Sequence, residues 1–98
     1  MGFHLTTKAK QDLITIARHS KKNWGVKQRN FYLQQIDQAF HLLAQAPESG
    51  KNCDYIFPGY FKFSVGKHLI FYRQSSKNQI QIVRILHSSM DLPNHLSS

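Results

Sequence analysis

Five side chains in the C-terminal half of this 98-residue sequence suit nucleic-acid cleavage: Lys62, Tyr72, Arg73, Arg84 and His87. Such a site needs one group to take a 2′-hydroxyl proton and another to protonate the leaving oxygen. It also needs cations to hold the phosphate. His87 is the natural near-neutral acid or base. It stands in "VRILHSSMD" (83–91), where an apolar strand runs out into two serines and an aspartate. Parity argues against a joint site, because Arg84 and His87 point to opposite faces of a regular strand. They converge only if the strand ends or bulges at Leu86. The simpler role for His87 is a strand-end histidine bonded to nearby backbone or to Asp91. Lys62, Arg84 and His87 are the residues a ribonuclease would use.

Arg84 sits among Ile80, Ile82 and Leu86, where an unpaired guanidinium is costly. Asp12, Asp37, Asp54 or a carboxylate on another molecule could pair with it. No other constellation stands out. The histidines at 4, 19, 41, 68, 87 and 95 show no i, i+3 or i, i+4 pairing, so no helix-borne metal site is expected. Asp12, Asp37, Glu48, Asp54 and Asp91 suggest no paired acid and base. There is no phosphate-cradling glycine loop and no RNA-binding sheet motif. No cofactor is implied. Cys53 is the only cysteine, which excludes an internal disulfide and a cysteine-based zinc site. It reads as a small, semi-buried residue of a reduced compartment.

Composition is globular, with 41% hydrophobic residues and 12% aromatics. No apolar run is long enough for a membrane span, and the N-terminus has no hydrophobic signal core. A cytoplasmic protein is expected. The formal net charge is +8. Lys8, Lys10, Arg18, Lys21, Lys22, Lys27 and Arg29 crowd the N-terminal third, opposed there only by Asp12. Such a field attracts nucleic acid, anionic lipid or an acidic polypeptide without choosing among them.

The elements that must position these groups follow from periodicity. Phe3-His4-Leu5 starts as a short strand, and Thr6 or Thr7 caps the helix after it. Ala9, Leu13, Ile16 and Ala17 form the apolar stripe of that helix. Gly25 ends it in a left-handed conformation, and Trp24 anchors the corner. A second helix runs from about Val26 to Gln45, with Tyr32, Ile36, Ala39, Phe40 and Leu43 inward and Leu33 flanking. Pro47 and Gly50 stop it. The period then changes. Strands are expected at "YIF" (55–57), "YFKFSV" (60–65), "HLIFYRQ" (68–74) and "QIQIVRIL" (79–86). Pro58-Gly59 makes a type II turn or bend, and Gly66-Lys67 and "SSKN" (75–78) close hairpins. The expected fold is α+β, in the order β-α-α-β-β-β, with an αα-hairpin on a three- to four-stranded antiparallel sheet. One domain spans 1–91, and 92–98 form a short tail.

Alternation leaves both faces of this sheet apolar. Ile80, Ile82 and Leu86 lie on one face with Arg84, and Val83 and Ile85 on the other with Gln81 and His87. Leu69 and Phe71 oppose Ile70 and Tyr72. One αα-hairpin covers only one face. The second face therefore asks for a cover. Either an acidic, amphipathic partner segment or a second copy of the chain supplies it, or the tail does, through Leu92 and Leu96.

In order along the chain, "AKQDLITIA" (9–17), "WGVKQRNFY" (24–32), "LLAQAPESGK" (42–51), "PGYFKF" (58–63), "GKHLIFY" (66–72) and "IVRILHSSMD" (82–91) resemble the ParE toxins of the RelE/ParE superfamily. The resemblance implies an αα-hairpin packed on an antiparallel sheet. It implies a toxin that traps DNA gyrase in its DNA-cleaved state, without bond-making chemistry of its own. It supplies the partner as well: a cognate antitoxin whose acidic C-terminal segment wraps the toxin. Direct sequence-specific nucleic-acid binding is not implied. The antitoxin is expected on Ile70, Tyr72, Ile80, Ile82 and Arg84. No motif fixes the residues that touch gyrase. RelE-branch relatives instead cut messenger RNA on the ribosome, and Lys62, Arg84 and His87 fall in comparable regions here. The ending lacks the His-Tyr pattern of some of those ribonucleases. An inactive, basic antitoxin-binding protein is the remaining alternative.

Overall fold

A computed structural model describes residues 2–89. Strand β1 (Gly2–Leu5) leads into helix α1 (Thr7–Gln45), a short 3-10 turn (Pro47–Ser49), and strands β2 (Lys51–Asn52), β3 (Tyr60–Val65), β4 (His68–Ser76) and β5 (Gln79–His87). The five strands form one sheet in the order β1-β5-β4-β3-β2. The α+β order agrees with the sequence reading. Strands β2–β5 form the antiparallel part of the sheet, and β1 joins β5 in parallel, with Gly2 opposite Gln79 and Leu5 opposite Ile82. "YIF" (55–57) is a turn rather than a strand.

The helix starts where expected. Thr6 is extended, and its Oγ1 accepts the N–H of Ala9 at 3.0 Å, satisfying one orphan donor of the first turn. The same hydroxyl donates to the Val83 carbonyl, tying the helix start to β5. Gly25 divides α1 into two arms, 7–24 and 26–45. Its backbone (φ 88°, ψ 173°) is not the left-handed helical cap that was expected but a more extended positive-φ region that only glycine tolerates. Trp24 does not anchor the corner: it is 70% exposed.

The arms bury Ile16, Ile36, Ala39, Phe40 and Leu43 against Ile70, Tyr72, Ile80, Ile82 and Ile85 of the sheet. Tyr72 does more than fill space. Its hydroxyl donates to the Pro47 carbonyl at 2.6 Å and accepts the Gly50 N–H at 2.9 Å, fixing the turn that stops the helix. A Cβ at Gly50 would collide with that hydroxyl, so close backbone approach requires glycine here. Gly59 (φ 83°) follows Pro58, and the Tyr60 N–H bonds the Phe57 carbonyl, the geometry of a type II turn. Gly66 (φ 56°) opens the two-residue β3–β4 hairpin.

The chain itself covers part of the second face. Cys53, Phe71 and Leu86 are fully buried in a second cluster, with Ile56, Phe57, Tyr60 and Leu69 packed around them. The cover is the chain's own 53–59 loop. Bonds from Ile56 N–H and Phe57 N–H to the Cys53 carbonyl close it, as does the Gly59 N–H to Asp54 Oδ1 at 2.7 Å. Leu92 and Leu96, the alternative cover, lie outside the described residues, as does the proposed tail 92–98.

Leu86 shares this cluster because β5 bulges. Tyr72 pairs with Ile82, yet Phe71 pairs with Arg84, leaving Val83 as an extra residue. Beyond the bulge the parity flips. Ile85 therefore joins Ile80 and Ile82 under the helix arms, while Leu86 turns to the other face. Simple alternation had placed these two the other way round.

The corner makes a test. An added Cβ at Gly25 meets nothing within 4 Å, so any penalty is purely conformational. Gly25→Ala is expected to lower stability by about 1–3 kcal/mol in urea unfolding.

Candidate partner-binding site

Arg84 is anchored within the chain. Its Nε and Nη2 donate to Asp12 Oδ2 and Oδ1 at 2.8 and 3.0 Å, a bidentate pair. Asp12 Oδ2 also accepts the Ile85 N–H at 2.9 Å. The geometry has a structural cause. The β1 ladder ends with the Thr6 N–H on the Ile82 carbonyl, and beyond it the β5 edge has no strand beside it among the described residues. Thr6 Oγ1 and the Asp12 carboxylate serve the next backbone groups instead, so that edge is not left open for pairing. Both pair members are about 15% exposed. The Asp12 hydrogen bond holds the Arg84 proton more tightly than usual, against the opposing effect of burial. Asp12 was one of the partners considered for Arg84, and it is the one used.

The remaining residues expected under an antitoxin do not form a surface. Ile70, Tyr72 and Ile82 are fully buried and Ile80 is 1% exposed, all beneath the helix arms. The helix arms pack on the face that carries them. Re-exposing each costs about 1.5–3 kcal/mol. For four residues that approaches the whole stability of a small domain. These four side chains therefore present almost no surface of their own to a partner, although Tyr72 and Ile80 line an open cavity of about 320 Å³ at the end of the sheet.

The three ribonuclease candidates are not brought together. Lys51, Lys62, Phe71 and Arg84 form one row across β2–β5 on the second face. Lys62 and Arg84 thus flank Phe71, about 10 Å apart. Lys62 Nζ donates to the Tyr55 hydroxyl at 3.0 Å and lies 5.7 Å from the centre of that ring. His87 lies on the helix side, opposite His68, with the two rings edge to face at 5.5 Å. The bulge falls at Val83 rather than Leu86, so it leaves Arg84 and His87 on opposite faces. His87 Nδ1 accepts the Ser89 N–H at 3.2 Å and lies 2.7 Å from the Ser89 hydroxyl.

His68 belongs to a polar cluster that the sequence did not signal. The Tyr32 hydroxyl lies 2.6 Å from His68 Nδ1 and donates to the Val65 carbonyl at 3.0 Å. Both contacts are satisfied when neutral His68 donates through Nδ1. Burial, with His87 and His19 nearby, pulls the His68 pKa below its usual 6.5. Burial also raises that of the Tyr32 phenol. The cluster locks the second arm to the β3–β4 hairpin. Among the described residues no group of three His, Cys, Asp or Glu side chains could hold a metal ion.

What the chain does offer outward is an open apolar groove of about 310 Å³ between the two arms. Leu13, Ile14 and Ala17 line one side, Leu33, Ile36 and Phe40 the other, with Asp37 at the rim. Ile14 is 51% exposed. The stripes on the two arms were read as core only. Ile14 beside Leu13, and Leu33 flanking Tyr32, make each apolar arc wider than one contact needs, and that was the available signal. No helix among the described residues is long and apolar enough to cross a membrane.

Comparison with known proteins agrees with this architecture. A family model described as the ParE toxin of the type II toxin–antitoxin system parDE matches residues 3–92. Toxin ParE1 of Mycobacterium tuberculosis is 42% identical over 73 residues, 74% of each chain. Toxin ParE1 of Caulobacter vibrioides is 32% identical over 94 residues, 96% of each chain. A chain from the chromosomal ParDE toxin–antitoxin system of P. aeruginosa superposes with a TM-score of 0.75 at 25% identity. That superposition covers 89% of this chain and 95% of the other.

Two stability predictions follow from the geometry. Asp12→Ala removes the bidentate partner of the part-buried Arg84 and the acceptor of the Ile85 N–H, so it should cost about 3–5 kcal/mol in urea unfolding. Arg84→Ala leaves Asp12 its Ile85 bond and should cost less, about 1.5–3 kcal/mol. His68 binds its proton more readily unfolded than folded, so it adds stability above pH 6.5 that is lost as pH falls below that value. Thermal melts from pH 8 to 5 should show this slope, and His68→Asn should flatten it.

Proposed function

The chain belongs to the ParE toxins of type II toxin–antitoxin systems, and on that premise we propose that it inhibits DNA gyrase, blocks replication and is neutralised by an antitoxin segment seated between its helix arms. The observation that carries the antitoxin part is the groove on the two helix arms, where Leu13, Ile14, Ala17 and Leu33 reach water over a floor of buried Ile36 and Phe40. An amphipathic helix laid into a hydrophobic groove is a standard recognition mode. The surrounding charge selects its sign. With +8 overall and only Asp37 acidic at the rim, an acidic segment is attracted and a basic one repelled.

The gyrase part rests on family membership and on how the ribonuclease candidates are arranged. A ribonuclease needs acid, base and phosphate clamp around one scissile bond. Lys62 and Arg84 lie on one face of the sheet and His87 on the other, and Asp12 occupies the Arg84 guanidinium. This arrangement favours a toxin that acts by binding rather than by cutting RNA.

The purified chain, freed of antitoxin, is expected to inhibit supercoiling and to accumulate cleaved plasmid. Loss of messenger RNA with intact supercoiling would assign it to the ribonuclease branch instead, and neither effect would mark an inactive copy. For the groove, Ile14→Asp places a charge where apolar contact is expected. Antitoxin affinity should fall about tenfold or more, with the melting temperature little changed because Ile14 is half exposed.

A further inference from the structure

The apex of the helix arms stands in water. Eight consecutive residues, 21–28, are all exposed, between buried Ser20 and half-buried Arg29. Trp24 is the only tryptophan of the chain and is 70% exposed, and Val26 is 47% exposed. They flank Gly25, whose glycine-only backbone reverses the chain in one residue, so the two apolar side chains mark the apex itself. A turn that only had to connect two helices would carry polar residues here. A large indole held on a short, rigid corner is instead the composition of a binding anchor, since tryptophan leads the residues that dominate interface energy.

The surroundings specify the chemistry of the occupant. No acidic residue lies between Asp12 and Asp37, while Arg18, Lys21, Lys22, Lys27 and Arg29 all do. Lys21 and Trp24 are three apart in one arm, so they are neighbours on its surface. The apex is therefore an apolar knob in a ring of cations, complementary to an apolar pocket with an acidic rim. A protein fits this better than a nucleic acid does. Strand-binding surfaces line up several aromatic rings, whereas the only aromatic among residues 21–28 is Trp24, and its apolar neighbour Val26 offers no stacking face.

The apex is also distinct from the groove. Seven residues separate Ala17 from Trp24, about 10 Å along the arm. We propose that the apex, with Trp24 as anchor and Lys21, Lys22 and Lys27 as its charged rim, is the surface by which this toxin docks into an acidic pocket on the gyrase protein. The proposal rests on the gyrase reading above and names the surface that reading lacks.

The test compares wild type, Trp24→Ala and the triple variant K21Q/K22Q/K27Q. For each, it measures the concentration that half-inhibits supercoiling, antitoxin affinity, melting temperature and binding to a plasmid fragment without gyrase. Trp24→Ala should raise the half-inhibitory concentration at least tenfold while antitoxin affinity and melting temperature stay within error. The triple variant should also inhibit less and lose much of the salt dependence shown by wild type. Unchanged inhibition by Trp24→Ala overturns the proposal while leaving the gyrase reading intact. Parallel loss of binding to the plasmid fragment alone also overturns it, in favour of a DNA contact. A parallel loss of antitoxin affinity overturns it too, by making apex and groove one surface. Wild type that does not inhibit gyrase at all removes both readings together.

Discussion

A small sheet that is apolar on both faces sets the terms for this molecule. A chain of this length has little surplus stability, so neither face can stay in water. The two arms of α1 close one side over Ile70, Tyr72, Ile80, Ile82 and Ile85. The self-bonded 53–59 loop closes the other over Phe71 and Leu86. With both sides packed, the central sheet residues are withdrawn from water. Among the described residues, exposed apolar side chains on the arms include Ile14 in the groove and Trp24 at the apex.

Asp12 is the point where this packing and the polar bonding meet. One carboxylate holds the Arg84 guanidinium and serves a strand-edge N–H that β1 is too short to reach. It fixes the first arm against β5, and the Tyr32–His68 cluster fixes the second arm against the β3–β4 hairpin. The groove between the arms is thereby held in shape before anything occupies it, which lowers the ordering cost of binding. A cation that looked like a phosphate clamp in the sequence is a structural tie in the fold.

Most of the architecture was legible in the sequence because local signals agreed with one another. Thr6, Pro47, Pro58-Gly59 and Gly66 punctuated the chain where the structure starts, stops or turns it. The misreadings have two physical sources. The bulge at Val83 carries no residue signature, and a single extra residue exchanges Ile85 and Leu86 between faces. The same bulge separates Arg84 from Ile80 and Ile82, with which alternation had grouped it. The second source is that tertiary covering is non-local. "YIF" has the composition of a strand, yet Ile56 and Phe57 are more useful as a lid on Phe71 and Leu86. Trp24 was expected to anchor the corner between the arms, and nothing local could show that the corner stands clear of the sheet.

The central claim is that the chain seals its own sheet and keeps its binding surface on the outside of the helix arms. Amide hydrogen exchange of the free toxin and of its antitoxin complex tests this most directly, because protection in a free protein reports what is already packed. The account predicts that β4 and β5 exchange slowly in both states and that antitoxin adds protection along residues 13–17 and 33–40. Central strands that exchange fast in the free chain, and become protected only when antitoxin arrives, would contradict it.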